Sequence, residues 1–345
     1  MKKINKPIIL TDPFPRSLNL IFSKKNISIL KKKFHLIAAP ENKNKKNIFY
    51  NKNIEKAVFI IGQPDLPKSL LIKAKNLKAI FNVESNFMEN MDYDYCFKND
   101  IHVLSTSPVF AQPVAEMALG LTLSIARSIH IAHNDFMRGK EKYGGEISSN
   151  NFLLKNKNFG IIGFGDLANS LLPLIKPFAN NILAYDPWLP SFMLEKKNVS
   201  PVNLKDLLKN SDIIYILASI TTSNAEMIDA SKLKLLKPGA VIILMSRAAI
   251  INFKDLYKFL SKKKNFAAVD VFPIEPVPKN DPFRRLENVI FSPHRAGAIN
   301  IAFKEMGEIV LQDIDLIMKN LPPKLCKRAE KETVKYLRSK PVDIN

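Results

Sequence analysis

Hydrophobic residues enter the first hundred positions as short runs, Ile8 to Leu10, Leu36 to Ala39, Ala57 to Ile61, Leu77 to Val83 and Ile101 to Leu104, with polar, helix-compatible stretches between them. That rhythm predicts the strands of an open α/β sheet. Gln112 to Ser128 reads instead as one long helix, with Pro113 in its first turn and an apolar body through Ala118, Leu119, Leu121, Leu123 and Ile125. Its position suits a crossover between two domains. From Phe159 the alternation becomes regular, with runs at Phe159 to Ile162, Ile182 to Tyr185, Ile213 to Leu217, Ala240 to Met245, Ala267 to Val271 and Val289 to Phe291. Nearly continuous apolar runs separated by helical lengths predict a parallel sheet covered on both faces, a doubly wound domain. A last helix is expected over Phe303 to Lys319, stopped by Pro322 and Pro323.

A chain of 345 residues exceeds one ordinary core, and two domains are expected. The boundaries fall at 1–108, 109–296 and 297–345, the last being a return helix and tail packing on the first domain. Hydrophobic residues at 46% and charged residues at 24% place the chain among globular proteins. The net charge of +20 raises nucleic acid as a partner, but only nine of the 52 basic residues are Arg, and the 43 Lys are scattered among Asn and Ile. Bidentate base readout relies on Arg, so no specific nucleic-acid partner is expected, while a small anionic substrate would be attracted. Cys96 and Cys326 show neither metal nor redox spacing, and no metal is expected. The apolar run at Pro7 to Leu10 is broken too early for a signal peptide, and no run long enough to span a bilayer is apparent. A cytoplasmic location without a membrane partner is the resulting expectation.

The strand Phe159 to Ile162 runs into Gly163, Phe164, Gly165, Asp166, Leu167 and Ala168, followed by a helix-like stretch to Phe178. This is a GxGxxA turn in the strand–turn–helix context that a dinucleotide requires. Gly163 permits the tight turn, Gly165 lets backbone approach a pyrophosphate, and Ala168 lets helix pack on strand. A second strand ends at Asp186, 21 residues after Gly165, where a carboxylate can bind a ribose 2′-hydroxyl and repel a 2′-phosphate. The motif therefore predicts NAD rather than NADP.

Arg247, Glu275 and His294 each follow the end of a different predicted strand of the same domain. In open α/β sheets ligands bind outside the carboxyl ends of the strands, so the three can converge on one reactive face. Taken singly, the bland reading is favoured for each, Arg247 as a solvated charge, Glu275 as a turn residue before Pro276 and His294 as a structural imidazole; together, beside the dinucleotide turn, they read as chemistry. Val269-Asp270-Val271-Phe272-Pro273-Ile274-Glu275-Pro276 and Phe291-Ser292-Pro293-His294-Arg295-Ala296-Gly297, with Ser246-Arg247-Ala248 and the Gly163 turn, resemble the D-isomer-specific 2-hydroxyacid dehydrogenases. The resemblance spans about Pro113 to Lys319, with a weaker echo at Val114-Ala115-Glu116.

The resemblance implies a doubly wound, Rossmann NAD-binding domain and a flavodoxin-like α/β substrate domain, built from the first hundred or so residues plus the C-terminal segment, with the active site in the cleft. It implies hydride transfer between NAD(H) and a small D-2-hydroxy acid or 2-keto acid, in a homodimer. His294 then serves as acid and base, Glu275 holds its tautomer and supports the imidazolium, and Arg247 grips the substrate carboxylate with a fixed fork. Asp270 would contact the nicotinamide carboxamide, or else be a strand-end turn residue. The substrate loop would present Ser85 and Asn86. Family members usually carry glycine there, whereas Asn82-Val83-Glu84-Ser85-Asn86-Phe87 has none, and Glu84 would repel a carboxylate unless turned away. Ala248 stands where glycine is common. The alternative of another class is an NAD-sensing corepressor without turnover, which would suit the basic charge but has no use for Arg247, Glu275 and His294 together.

Overall fold

The computed structural model describes residues 6–84, 86–144 and 151–337, and the chain divides into two compact units, Met1–Phe110 with Ala298–Asn345, and Ala111–Gly297. In the first unit, five parallel strands lie in the order β5-β4-β3-β1-β2: β1 (Ile8–Asp12), β2 (His35–Ala38), β3 (Ala57–Gly62), β4 (Ala79–Asn82) and β5 (His102–Ser105). This is the flavodoxin-like order, and its switch point lies at the carboxyl end of β1, between β2 and β3. The two-residue strand Lys327–Arg328 adds an antiparallel edge beside β5. So short a strand has no periodicity by which a sequence could reveal it.

The helix Asn300–Met318 belongs to this first unit. Ala302, Met306, Ile309, Val310, Ile314 and Ile317 repeat at helical spacing and join Ile9, Phe22, Phe59, Phe81 and Leu104 in one core. It begins three residues before the expected Phe303, with no side-chain cap from Ile299; Asn300 and Ile301 at its start are exposed. Asp313, fully buried on this helix, accepts the N–H groups of Lys324 (2.8 Å) and Cys326 (2.7 Å), and so folds the following segment back toward β5.

The second unit holds seven parallel strands in the order β12-β11-β10-β9-β6-β7-β8: β6 (Lys157–Ile162), β7 (Ala179–Tyr185), β8 (Ser200–Pro201), β9 (Ile213–Ile216), β10 (Val241–Leu244), β11 (Phe266–Val269) and β12 (Val289–Phe291). Every residue of β9 and β10 is buried, which is why they read as unbroken apolar runs. The switch point of this sheet is the carboxyl end of β6, flanked by β7 and β9.

The helix expected over Gln112 to Ser128 spans Ala111–Ala126 and lies wholly in the second unit rather than crossing between two. Ser128 adopts φ 49°, and a separate helix follows at Ile129–Met137. Ser107–Ala126 is long and apolar enough to cross a membrane by length and composition, which corrects the expectation of no such stretch. Here Ala111–Ala126 packs on the helix Asp166–Ile175 and on β10 and β11. Thr122, the polar residue on its buried face, meets the fully buried Tyr215 hydroxyl at 2.9 Å, so both hydroxyls are satisfied inside the core.

Candidate active site

The dinucleotide turn forms at the switch point of the second sheet. Gly163 has φ +85°, and a Cβ there would lie 2.4 Å from Ala218 Cα, so the turn demands glycine. Gly165 then starts the helix Asp166–Ile175 without a side-chain cap, and a Cβ built on it meets nothing within 4 Å. An uncapped helix N-terminus with open space before it fits a pyrophosphate. Phe164 and Ala168 are buried, while Asp166 and Leu167 are half-buried in the first turn. Asp186 follows the end of β7 and accepts the Phe164 N–H at 2.7 Å and the Trp188 N–H at 2.9 Å. The carboxylate that the spacing predicts for ribose thus also ties the glycine turn to β7, and each oxygen keeps lone-pair capacity for a hydroxyl.

Along the same carboxyl edge of this parallel sheet, past β9, three strand ends carry the titratable residues. Arg247 follows β10, half-buried, with Nη1 donating to Ser246 O at 2.7 Å. Ser246 is itself buried and donates to Ile216 O at 3.1 Å, fixing the Arg247 backbone to β9. Glu275 accepts the Phe272 N–H through Oε1 at 2.8 Å, while its Oε2 lies 2.7 Å from His294 Nδ1. With Nδ1 on the carboxylate, Nε2 is the ring nitrogen left to exchange a proton with a bound molecule. Burial works to raise the Glu275 carboxyl, but the bond to His294, the Phe272 amide and the charges of His294 and Arg247 together hold it below the usual carboxylate range.

His294 sits at φ 51°, a strained conformation for a non-glycine residue. Asp270 holds it there. The Asp270 carbonyl accepts the His294 N–H at 2.8 Å, and its buried carboxylate accepts Ser292 Oγ at 2.5 Å, Arg295 N at 2.9 Å and Ala296 N at 3.3 Å. β11 stops at Val269, two residues short of the predicted run, because Asp270 turns to this loop. Burial raises the Asp270 carboxyl, and its three donors oppose the rise. The spacing in the sequence contains no signal for this grip.

The predicted substrate loop lies in the first unit. Ser85 is outside the described residues, and Asn86 is half-buried. Glu84, the anticipated source of repulsion, is buried at 5% exposure and faces Arg16 at 3.4 Å. Nothing in the residue spacing pointed to Arg16, which is 68 positions away.

A family model described as D-isomer specific 2-hydroxyacid dehydrogenase, NAD binding domain, matches residues 119–296. A D-3-phosphoglycerate dehydrogenase of Methanocaldococcus jannaschii is 30% identical over 73% of this chain, which spans 48% of that protein's length. A glyoxylate reductase of Thermococcus litoralis is 32% identical over 75% of this chain and 79% of its own. The crystal structure of a phosphoglycerate oxidoreductase from Rhizobium etli aligns with TM-score 0.84 and 42% identity, covering 95% of this chain and all (100%) of the other. With the glycine turn, the strand-end residues and these matches in agreement, the chain belongs to the D-isomer-specific 2-hydroxyacid dehydrogenase family and carries its NAD-binding domain.

Proposed function

We propose that this protein interconverts a small D-2-hydroxy acid and its 2-keto acid with NAD(H), using His294, Glu275 and Arg247. The observation that carries the reading is the 2.7 Å contact of His294 Nδ1 with Glu275 on the strand-end edge that also bears Arg247. Bound NAD(H) supplies or accepts the hydride at the substrate C2. In the reducing direction protonated His294 gives its Nε2 proton to the oxygen at C2 as the keto group becomes a hydroxyl; in the oxidising direction neutral His294 removes it. Glu275 stabilises the imidazolium and fixes which nitrogen faces the substrate. Arg247 pairs with the substrate carboxylate and polarises the C2 carbonyl. Asp270 uses three acceptor sites on the His294 loop and retains capacity for the nicotinamide carboxamide. Ser85 and Asn86 are assigned to the substrate carboxylate.

The relatives bear names of reductases and dehydrogenases, glyoxylate and hydroxypyruvate reductase among them, which favours turnover over a corepressor role. A homodimer is supported by the helix Ile129–Met137, which has no buried residue and exposes Ile129, Phe136 and Met137. Two buried free thiols, Cys96 and Cys326, accord with a reducing, cytoplasmic location.

The test is NADH consumption with a panel of 2-keto acids. His294→Ala should lower kcat on the best substrate by at least about 10²-fold and leave NADH affinity unchanged. Full activity of His294→Ala, or no reduction of any panel member by the unmutated protein, refutes the reading.

A further inference from the structure

The first unit has its own switch point, at the carboxyl end of β1, where open α/β sheets receive ligands. Arg16 follows β1, Gln63 follows β3, and Glu84 follows β4. These three meet around Val83. Arg16 Nη1 donates to the Val83 carbonyl, and Gln63 Oε1 accepts the Val83 N–H at 3.3 Å. Asn82 Oδ1 accepts the Glu84 N–H at 2.8 Å. The backbone from Asn82 to Glu84 is therefore held by three side chains, immediately before Ser85 and Asn86.

Arg16 is held in turn. Its guanidinium carbon lies 5.5 Å from the Phe110 ring centre and 5.4 Å from that of Phe303, and its side chain is 18% exposed against 3% for Glu84. A cation set against two aromatic rings that themselves meet edge to face at 6.3 Å, and paired with a buried carboxylate, keeps one geometry. Burial lowers the Arg16 pKa while Glu84 opposes the drop.

We propose that Arg16 is a positioning residue for anionic-substrate binding: it fixes the glycine-free loop after β4 through the Val83 carbonyl and offsets the charge of Glu84, so that the loop at Asn86 can receive a carboxylate. The proposal rests on the function argued above. A glycine loop would present backbone amides by its own conformational freedom. Here a brace of side chains sets the loop, and the acid that would repel the substrate is neutralised within it. Without Arg16 the buried carboxylate of Glu84 loses the guanidinium that lies 3.4 Å from it beside the substrate loop, and its charge then acts more strongly against an incoming anion.

The experiment compares Arg16→Met, Glu84→Gln and the double variant, with equilibrium binding of oxamate to the NADH-loaded protein as the main readout. NADH affinity, melting temperature, and KM and kcat on the best 2-keto acid accompany it. Met keeps apolar bulk against the two phenylalanines. Arg16→Met should weaken oxamate binding and raise KM by about tenfold or more, with kcat within about threefold and NADH affinity unchanged. Removing the acid as well should restore oxamate affinity to within about threefold of the parent, even if Arg16→Met alone lowers the melting temperature. A melting-temperature drop with unchanged oxamate affinity makes the pair purely structural and overturns the proposal, as does a double variant no better than Arg16→Met. An unmutated protein that binds NADH and oxamate yet reduces no 2-keto acid defeats the functional reading, while the oxamate series still decides the role of Arg16.

Discussion

The two glycines of the dinucleotide turn separate folding from cofactor binding. At Gly163 an added methyl would stand 2.4 Å from Ala218 Cα and 2.6 Å from its Cβ, on a backbone at φ +85°. The positive φ costs roughly 1–2 kcal/mol for an L side chain, and forced overpacking adds roughly 1–3 kcal/mol. Gly163→Ala should therefore destabilise the second unit by about 2–5 kcal/mol, a melting shift of roughly 5–15 °C for a unit of this size. At Gly165 the methyl meets nothing within 4 Å, and the residue sits at φ −89°, ψ −150°, outside the positive-φ region that demands glycine. Loss of a tolerated N-cap glycine and gain from a stiffer unfolded chain are both below about 1 kcal/mol and opposite in sign. Gly165→Ala should then melt within about 2 °C of the parent. Its methyl nevertheless occupies the space through which a pyrophosphate must approach, and NADH should bind at least about tenfold more weakly, ~1.4 kcal/mol. Thermal melts followed by circular dichroism, with NADH titration by fluorescence, measure both quantities. If Gly165→Ala binds NADH as tightly as the parent, the pyrophosphate does not lie at this helix N-terminus. If Gly163→Ala melts like the parent, the close approach of the turn to Ala218 is wrong.

Arg247→Lys should keep NADH affinity but raise KM and lower kcat, because an ammonium cannot reproduce the bidentate fork; unchanged kinetics would return Arg247 to a surface charge. Asp186→Ala should narrow the preference for NADH over NADPH and also weaken NADH itself, since Asp186 anchors the Phe164 amide of the turn; comparative titrations with the two cofactors measure it, and an unchanged ratio removes Asp186 from selectivity. Glu275 is depressed in the folded state, so it contributes stability above the ordinary carboxylate range that is lost as pH falls through its folded pKa. Urea melts at descending pH should accordingly show a shallower acid loss for Glu275→Gln, and parallel curves would contradict the sign.

Much of this architecture was determined locally. The strands of both sheets announce themselves because buried parallel strands need unbroken apolar runs, and β12 has the bounds the run predicted. The glycine turn is legible because a strand, a positive-φ residue and a helix start follow within a few positions. Arg247, Glu275 and His294 could be singled out because each stands just past a run whose end the pattern marks. What the pattern could not contain are contacts between distant positions. Arg16 and Glu84 are brought together only when β1 and β4 enter one sheet. Asp270 grips Ser292, Arg295 and Ala296 only because β11 and β12 are neighbours. The corner at Ser128, after which a second helix, Ile129–Met137, follows the one expected to end there, lies among residues with no helix-breaking proline or glycine. Periodicity reports which face of an element is buried, since that is a property of a few consecutive residues; which side chain meets which depends on strand order and register, and these exist only once the sheet has formed.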